Sequence, residues 1–296
     1  MIKVTFLGTS GSTPTKQRGM PSVAISQEGK IYLFDCGEGT QMKMLTYDLN
    51  ISKVDSVFLT HAHGDHIIGI AGLVRTMAML NRQKELKIYI PKGYENSIIN
   101  LINFDKAIIS YKISVIGIRA ESFYKGDGFT VSAFKVNHQI ATYGYVFKED
   151  DKRRFMTGKA VKLGIKGKAF GELQRKGRIK INGKTISLQS VTTLVEGRKI
   201  VYTTDTRPSK STISAARNAN ILIHESSYAG DEAKLAAQRK HSTSVEAAQI
   251  AKAAKAKRLV LIHISARHSS VKEILDGARK VFPNTTVAND GESISI

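Results

Sequence analysis

With 296 residues, 42% of them hydrophobic and 24% charged, the chain is long and apolar enough to bury a substantial core. No apolar run approaches the ~20 residues of a membrane span, so no membrane is expected as a partner, and the single cysteine, Cys36, excludes an internal disulfide. Lys and Arg exceed Asp and Glu by 20, a balance that favours a polyanionic partner and salt-sensitive binding.

In chain order, "IKVTFLG", "SVAIS", "IYLFDCG" and "VDSVFLTHA" are β-branched or aromatic runs punctuated by Gly, Pro and Ser, and read as short strands. The first of them starts without the charged stretch and apolar middle of a secretory leader. Together with the lone cysteine, this sets the expectation of a cytoplasmic protein. "HIIGIAGLVRTMAML" follows with helical spacing, which predicts Ile68, Leu73, Met77 and Leu80 near one face. Strands are predicted again at "LKIYIP", "FTVSAFKVNH", "TYGYVFKE" and "GRKIVYTTD".

Residues 152–184 differ from all of this. They hold 12 Lys or Arg and one Glu, more than half of the excess charge of the chain, with Phe155 and Phe170 among few apolar residues. The composition predicts a basic arm inserted into a single domain of residues 1–296, projecting from it to touch something anionic. Beyond it, "ANILIHESSY" leads to an amphipathic helix at "HSTSVEAAQIAKAAKA" and then to a strand at "RLVLIHIS". Thr243 and Glu246 form a capping-box pattern at the start of that helix. Strands early, then strand and helix alternating, predict an α/β sandwich.

The densest chemistry lies in "FLTHAHGDHIIGIAGL", where His61, His63, Asp65 and His66 fall within six positions. Imidazole and carboxylate together suit borderline metals such as zinc. If the strand extends through His61 and His63 they point the same way, and Gly64 permits a turn before Asp65 and His66. One loop can then present two ligand pairs to two adjacent metals, whereas a single metal would need only two or three of these groups. His138, Asp205 and His263 each stand at or near the end of an apolar run, and are the candidates for the remaining ligands.

"THAHGDH" resembles the HxHxDH signature of the metallo-β-lactamase superfamily. That resemblance implies a four-layer αβ/βα sandwich with two zinc ions per subunit at one edge, other divalent metals being possible. It implies that His61, His63 and His138 hold one ion, Asp65, His66 and His263 the other, and that Asp205 bridges them. Four further motifs resemble the ribonuclease Z family: "PTKQRG" from Pro14 to Gly19, "FDCGEGTQ" around Asp35, "HESSY" paired with "HST", and "HISARH" from His263.

The family resemblance implies a homodimeric endoribonuclease that acts on precursor tRNA. Asp65 would orient or deprotonate the attacking water, and His241, held by Glu225, would protonate the leaving oxygen. Lys16, Arg18 and Arg267, with Lys166 and Lys168 of the arm, would contact the RNA. Gly19, Thr204, His268 and Lys168 depart from the family pattern, which has Asn, Gly, Tyr and Pro there. The competing expectations are a small-molecule phosphodiesterase on the same centre, which would not need the basic arm, and a non-catalytic RNA-binding protein with a structural metal.

Overall fold

The computed structural model describes residues 1–105 and 109–296. They form two compact units, one comprising residues 1–147 and 199–296 and the other residues 148–198.

The larger unit is built on two seven-stranded sheets. One runs, in spatial order, through Ser293–Ser295, Ile2–Gly8, Ser22–Gln27, Lys30–Phe34, Val54–Phe58, Leu86–Pro91 and Ile113–Ile118. The other runs through Thr285–Val287, Leu259–Ile262, Ile221–Glu225, Lys199–Thr203, Tyr143–Glu149, Phe129–Lys135 and Phe123–Lys125. Alternation along each strand sends one set of side chains between the sheets. Phe6, Ile25, Tyr32, Phe34 and Phe58 of the first sheet join Phe129, Tyr145, Phe147, Tyr202 and Ile223 of the second in one buried cluster. Full burial of such side chains contributes about 1.5–3 kcal/mol each before entropy is counted.

The opposite set packs outward on helices. Leu33, Val57 and Ile88 meet Met44, Ile70, Leu73, Val74, Met77 and Ile98 on the first sheet. Leu222, Leu259 and Leu261 meet Ala247, Ala251, Ile274 and Ala278 on the second. Helix, sheet, sheet and helix therefore stack in four layers, the metallo-β-lactamase fold.

Two expectations need correction in the helix after the histidine motif. Its buried face is Ile70, Leu73, Val74 and Met77, while Ile68 and Leu80 are about half exposed, at 49% and 52%. The reason is local: the helix Gly69–Met79 starts after Ile68 and ends before Leu80, so both flank the stripe. The helix Ser244–Ala253 has the predicted capping box, with Thr243 Oγ1 accepting from the Glu246 amide and the Glu246 carboxylate accepting from the Thr243 amide.

The smaller unit has a core of its own. Ala160, Ile165, Leu173, Ile186 and Val191 are buried together, with the Phe155 and Phe170 rings edge-to-face at 5.0 Å. Two short helices, Thr157–Lys162 and Lys168–Lys176, pack there with the hairpins Lys152–Phe155/Thr192–Val195 and Arg178–Ile181/Lys184–Ser187. Asn182 and Gly183 turn the second hairpin with φ of 49° and 78°, a conformation those two residue types adopt readily.

Candidate active site

The strands supply the site from their C-terminal ends. The strand Val54–Phe58 stops short of the histidine motif, so His61 and His63 lie beyond it rather than on an extended strand. Gly64 opens a short helix, Gly64–Ile67, that carries Asp65 and His66. Asp205 lies two residues past Lys199–Thr203, His138 three past Phe129–Lys135, and His263 immediately past Leu259–Ile262. His263, Asp35 and Ser12 all have φ near +60°. Non-glycine residues rarely occupy that region, and here they cluster at one place.

All seven metal candidates come together. His61, His63, His138 and Asp205 form one group of possible ligands, and Asp65, His66 and His263 another. The Asp205 carboxylate stands between them. Its Oδ2 is 3.6 Å from His61 Nε2 and 3.7 Å from His138 Nε2, and its Oδ1 is 3.4 Å from His66 Nε2 and 3.0 Å from His263 Nε2. Asp65 Oδ2 lies 3.5 Å from His66 Nε2 and 3.8 Å from His263 Nε2.

Hydrogen bonds behind these candidate ligands set which nitrogen faces inward. The Thr60 hydroxyl donates to Asp35, so it accepts from His61 Nδ1 at 3.0 Å. His66 Nδ1 donates to Asp35 Oδ2 at 2.8 Å, and His138 Nδ1 donates to the Lys240 carbonyl at 3.1 Å. Ser227 Oγ donates to Glu225 Oε2 and accepts from His263 Nδ1 at 2.9 Å. Four imidazoles thus turn Nε2 to the centre, while His63 presents Nδ1, 3.0 Å from His61 Nε2. Such partners fix tautomer and ring orientation in metal sites.

These residues fit divalent metal. Although His263 Nε2 and Asp205 Oδ1 approach to 3.0 Å as an ion pair, neither of these buried atoms nor buried His66 Nε2 makes a hydrogen bond of proper geometry, and buried polar atoms are costly to leave so. Burial disfavours the imidazolium at His263, yet Asp205 and Asp65 outweigh it and raise its pKa to about 10. The two carboxylates therefore draw positive charge towards these buried groups, which cations bound to neutral imidazoles would supply. At His61 and His138 burial dominates and lowers the pKa, keeping both rings in the form that binds metal.

His241 belongs to the rim. Its Nδ1 donates to Glu225 Oε1 at 3.0 Å, and Glu225 is itself held by the Thr206 amide and the Ser227 hydroxyl. Burial opposes the imidazolium there, but the Glu225 charge and hydrogen bond prevail and raise the pKa. An open cleft of about 320 Å³ is lined by His63, Asp65, His138, Asp205, Tyr228 and His241, among others.

The expected RNA contacts are placed less uniformly. Lys16 is exposed. Arg18 instead turns inward, donating to Thr9 Oγ1, the Ala288 carbonyl and Asn289 Oδ1, so its guanidinium braces the chain. Arg267 lies 4.7 Å over the Tyr228 ring and reaches Glu232, yet keeps 43% of its side chain exposed. His268 Nε2 approaches Glu232 at 3.3 Å. Lys166 and Lys168 are exposed where the two helices of the smaller unit meet. His224 of "HESSY" is buried, with Nδ1 donating to the Glu225 carbonyl. Asp35, Thr60, Tyr202 and Ser227 are supporting residues that motif reading does not single out as part of the site.

Comparison with known proteins decides the family. A model described as anti-Pycsar protein Apyc1 matches residues 2–163, and one described as a beta-lactamase superfamily domain matches residues 164–264. The chain is 39% identical to a ribonuclease Z of Methanothermobacter thermautotrophicus, over all of this chain and 97% of that protein. It is 40% identical to a ribonuclease Z of Archaeoglobus fulgidus, over all of this chain and 98% of that protein. The chain belongs to the ribonuclease Z family. The crystal structure of the short form of human tRNase Z has the same fold, with a TM-score of 0.72, 26% identity and 99% of each chain covered. Ribonuclease Z membership makes this chain a nuclease, and its paired His/Asp groups are able to take the metal of a metal-dependent one.

Proposed function

We propose that this chain removes the 3′ trailer of precursor tRNA, cutting just after the discriminator nucleotide. The tRNA keeps a 3′-hydroxyl and the trailer a 5′-phosphate. The observation that carries the reading is the Glu225–His241 pair at the rim of seven candidate ligands, in a chain that is like ribonuclease Z along its whole length.

His61, His63 and His138 would hold one zinc ion, Asp65, His66 and His263 a second, with Asp205 shared. Such cations supply positive charge that polarises a phosphodiester and lowers the pKa of water at neutral pH. Asp65 Oδ2 accepts from the Ser12 amide at 3.1 Å and faces the cleft, placed to orient the attacking water and accept its proton. As the new P–O bond forms, the bond from phosphorus to the 3′-oxygen breaks. His241 gives that oxygen its proton, and Glu225 stabilises the imidazolium until it does.

Binding falls to exposed cations. Exposed Lys16, on the loop whose Ser12 lines the cleft, and the 12 Lys and Arg of residues 152–184 are suited to backbone phosphates, which position a substrate without reading its sequence. The protein works in the cytoplasm as a homodimer on this reading. The test is incubation of a 3′-extended tRNA transcript with the purified protein and mapping of both new ends. Cleavage elsewhere than after the discriminator, or a 3′-phosphate on the tRNA, would refute the reading.

A further inference from the structure

The loop from Thr9 to Gly19 touches the site at two points. Its Ser12 amide donates to Asp65 Oδ2, and Gly11 packs so closely on His263 that an added Cβ would lie 2.5 Å from Nδ1. Ser10 and Gly11 also pair with Ile264 and Ser265, just past His263. The same loop carries exposed Lys16. Ser12 sits at φ of 59°, a conformation that persists only where the surroundings impose it. Something must therefore fix the loop.

Both of its ends converge on one carboxylate from the far end of the chain. Asp290 Oδ1 accepts from Thr9 Oγ1 at 2.8 Å, and its Oδ2 accepts from the Gly19 amide at 2.6 Å. Lys43 Nζ adds a third donor to Oδ2 at 2.9 Å, and the Asp290 side chain is only 3% exposed. Arg18 completes the brace by donating to Thr9 Oγ1 and to the Ala288 carbonyl, both at 2.5 Å. Charge-assisted hydrogen bonds of this kind are short, strong and directional.

We infer that Asp290 is a positioning residue for the reaction: it staples the two ends of the Thr9–Gly19 loop, and so holds the Ser12 amide on Asp65 and fixes the loop that carries Lys16. The inference rests on the proposed tRNA cleavage for the role of Lys16, but the staple itself does not. Gly19 fits this arrangement, since a Cβ there would lie 3.0 Å from Lys43 Cε and 3.4 Å from Asp290 Oδ2. An Asn at that position would press on the two side chains that meet the loop end.

Asp290→Ala and Asp290→Asn, each loaded with metal, test it by three readouts. Hydrogen exchange should rise within residues 10–19 while the rest of the chain stays protected. KM for precursor tRNA should rise roughly tenfold in the alanine variant and less in the asparagine variant, which keeps one acceptor oxygen. Turnover of bis(p-nitrophenyl) phosphate should fall only a few-fold, with metal content unchanged. Unchanged exchange in 10–19 would overturn the staple whatever the substrate proves to be. Loosened exchange with unaltered KM would overturn the positioning role. Equal loss of turnover on both substrates together with loss of metal, in both variants, would reduce Asp290 to a general structural residue. If the wild-type protein does not cut precursor tRNA, the functional reading fails, and exchange still reports on the staple.

Discussion

The metal centre and the basic unit of residues 148–198 solve opposite problems. In the first, seven candidate ligands sit just past the ends of strands from a large core, and almost every ring nitrogen not aimed at the centre has a hydrogen-bond partner. In the second, five buried aliphatic residues and two partly buried phenylalanines support a surface rich in exposed lysine and arginine. A charge buried in the first region must be matched within an ångström or so. A charge exposed in the second is solvated and acts through number and screening. Changes in the centre should therefore alter chemistry steeply, and changes in the basic unit should alter affinity gradually.

The steepest break of that contrast is Asp205→Ala. Among the described residues the Asp205 carboxylate is the one that stands between both candidate ligand groups, so cleavage should fall to background and bound metal should drop below two equivalents. Metal analysis beside single-turnover rates would check it. Two tightly bound equivalents with normal turnover would remove Asp205 from the centre.

His241→Ala separates acid from ligand within the same region. Its Nδ1 is engaged by Glu225, so metal content and tRNA affinity should stay near normal while the single-turnover rate falls ~10²–10⁴-fold. Asp205, His241 and His263 also form a group close enough to share an ion. Loss of metal from this variant would therefore assign His241 as a ligand.

Glu225→Gln should have a smaller and pH-dependent effect. Glu225 raises the His241 pKa, so the acid form persists above the ordinary imidazole value of ~6.5. The attraction between the pair is fully present below that unfolded value and is lost as pH rises through the raised one. In Glu225→Gln the alkaline limb of the rate profile should move to lower pH. A limb that does not move would mean that another group limits the rate there.

Much of the centre was legible because its side chains are rare in apolar contexts. Three histidines and an aspartate within six positions have few other uses, and His138, Asp205 and His263 each follow a strand in the pattern expected of ligands. The strand reading of His61 and His63 was less accurate, since the strand ends at Phe58 and the two rings converge through the turn that follows. Asp35 was visible as a motif but not as the acceptor that gathers Thr60, His66 and Tyr202, because those residues are 25 to 167 positions away. The role of Arg18 was hidden for the same reason, its partners lying near the C-terminus. Ile68 and Leu80 were misplaced because helix ends, unlike helical period, depend on local caps and breaks. Charge marked the basic segment, but its five-residue core carries too weak a pattern to announce two helices and two hairpins.

The division of labour between the two regions has one most direct test. Lys152 pairs with Val195 across the first hairpin of the basic unit, so residues 152–195 can be replaced by a short Gly/Ser turn that leaves the Glu149–Arg198 ion pair in place. Binding of precursor tRNA should then be measured over several salt concentrations, alongside hydrolysis of bis(p-nitrophenyl) phosphate. Expected are weak tRNA binding, a plot of log K against log salt flatter by ~0.7–0.9 for each lost phosphate contact, and small-substrate turnover within about twofold of the parent. Unchanged tRNA affinity and salt slope, or collapse of small-substrate turnover in a folded variant, would contradict it.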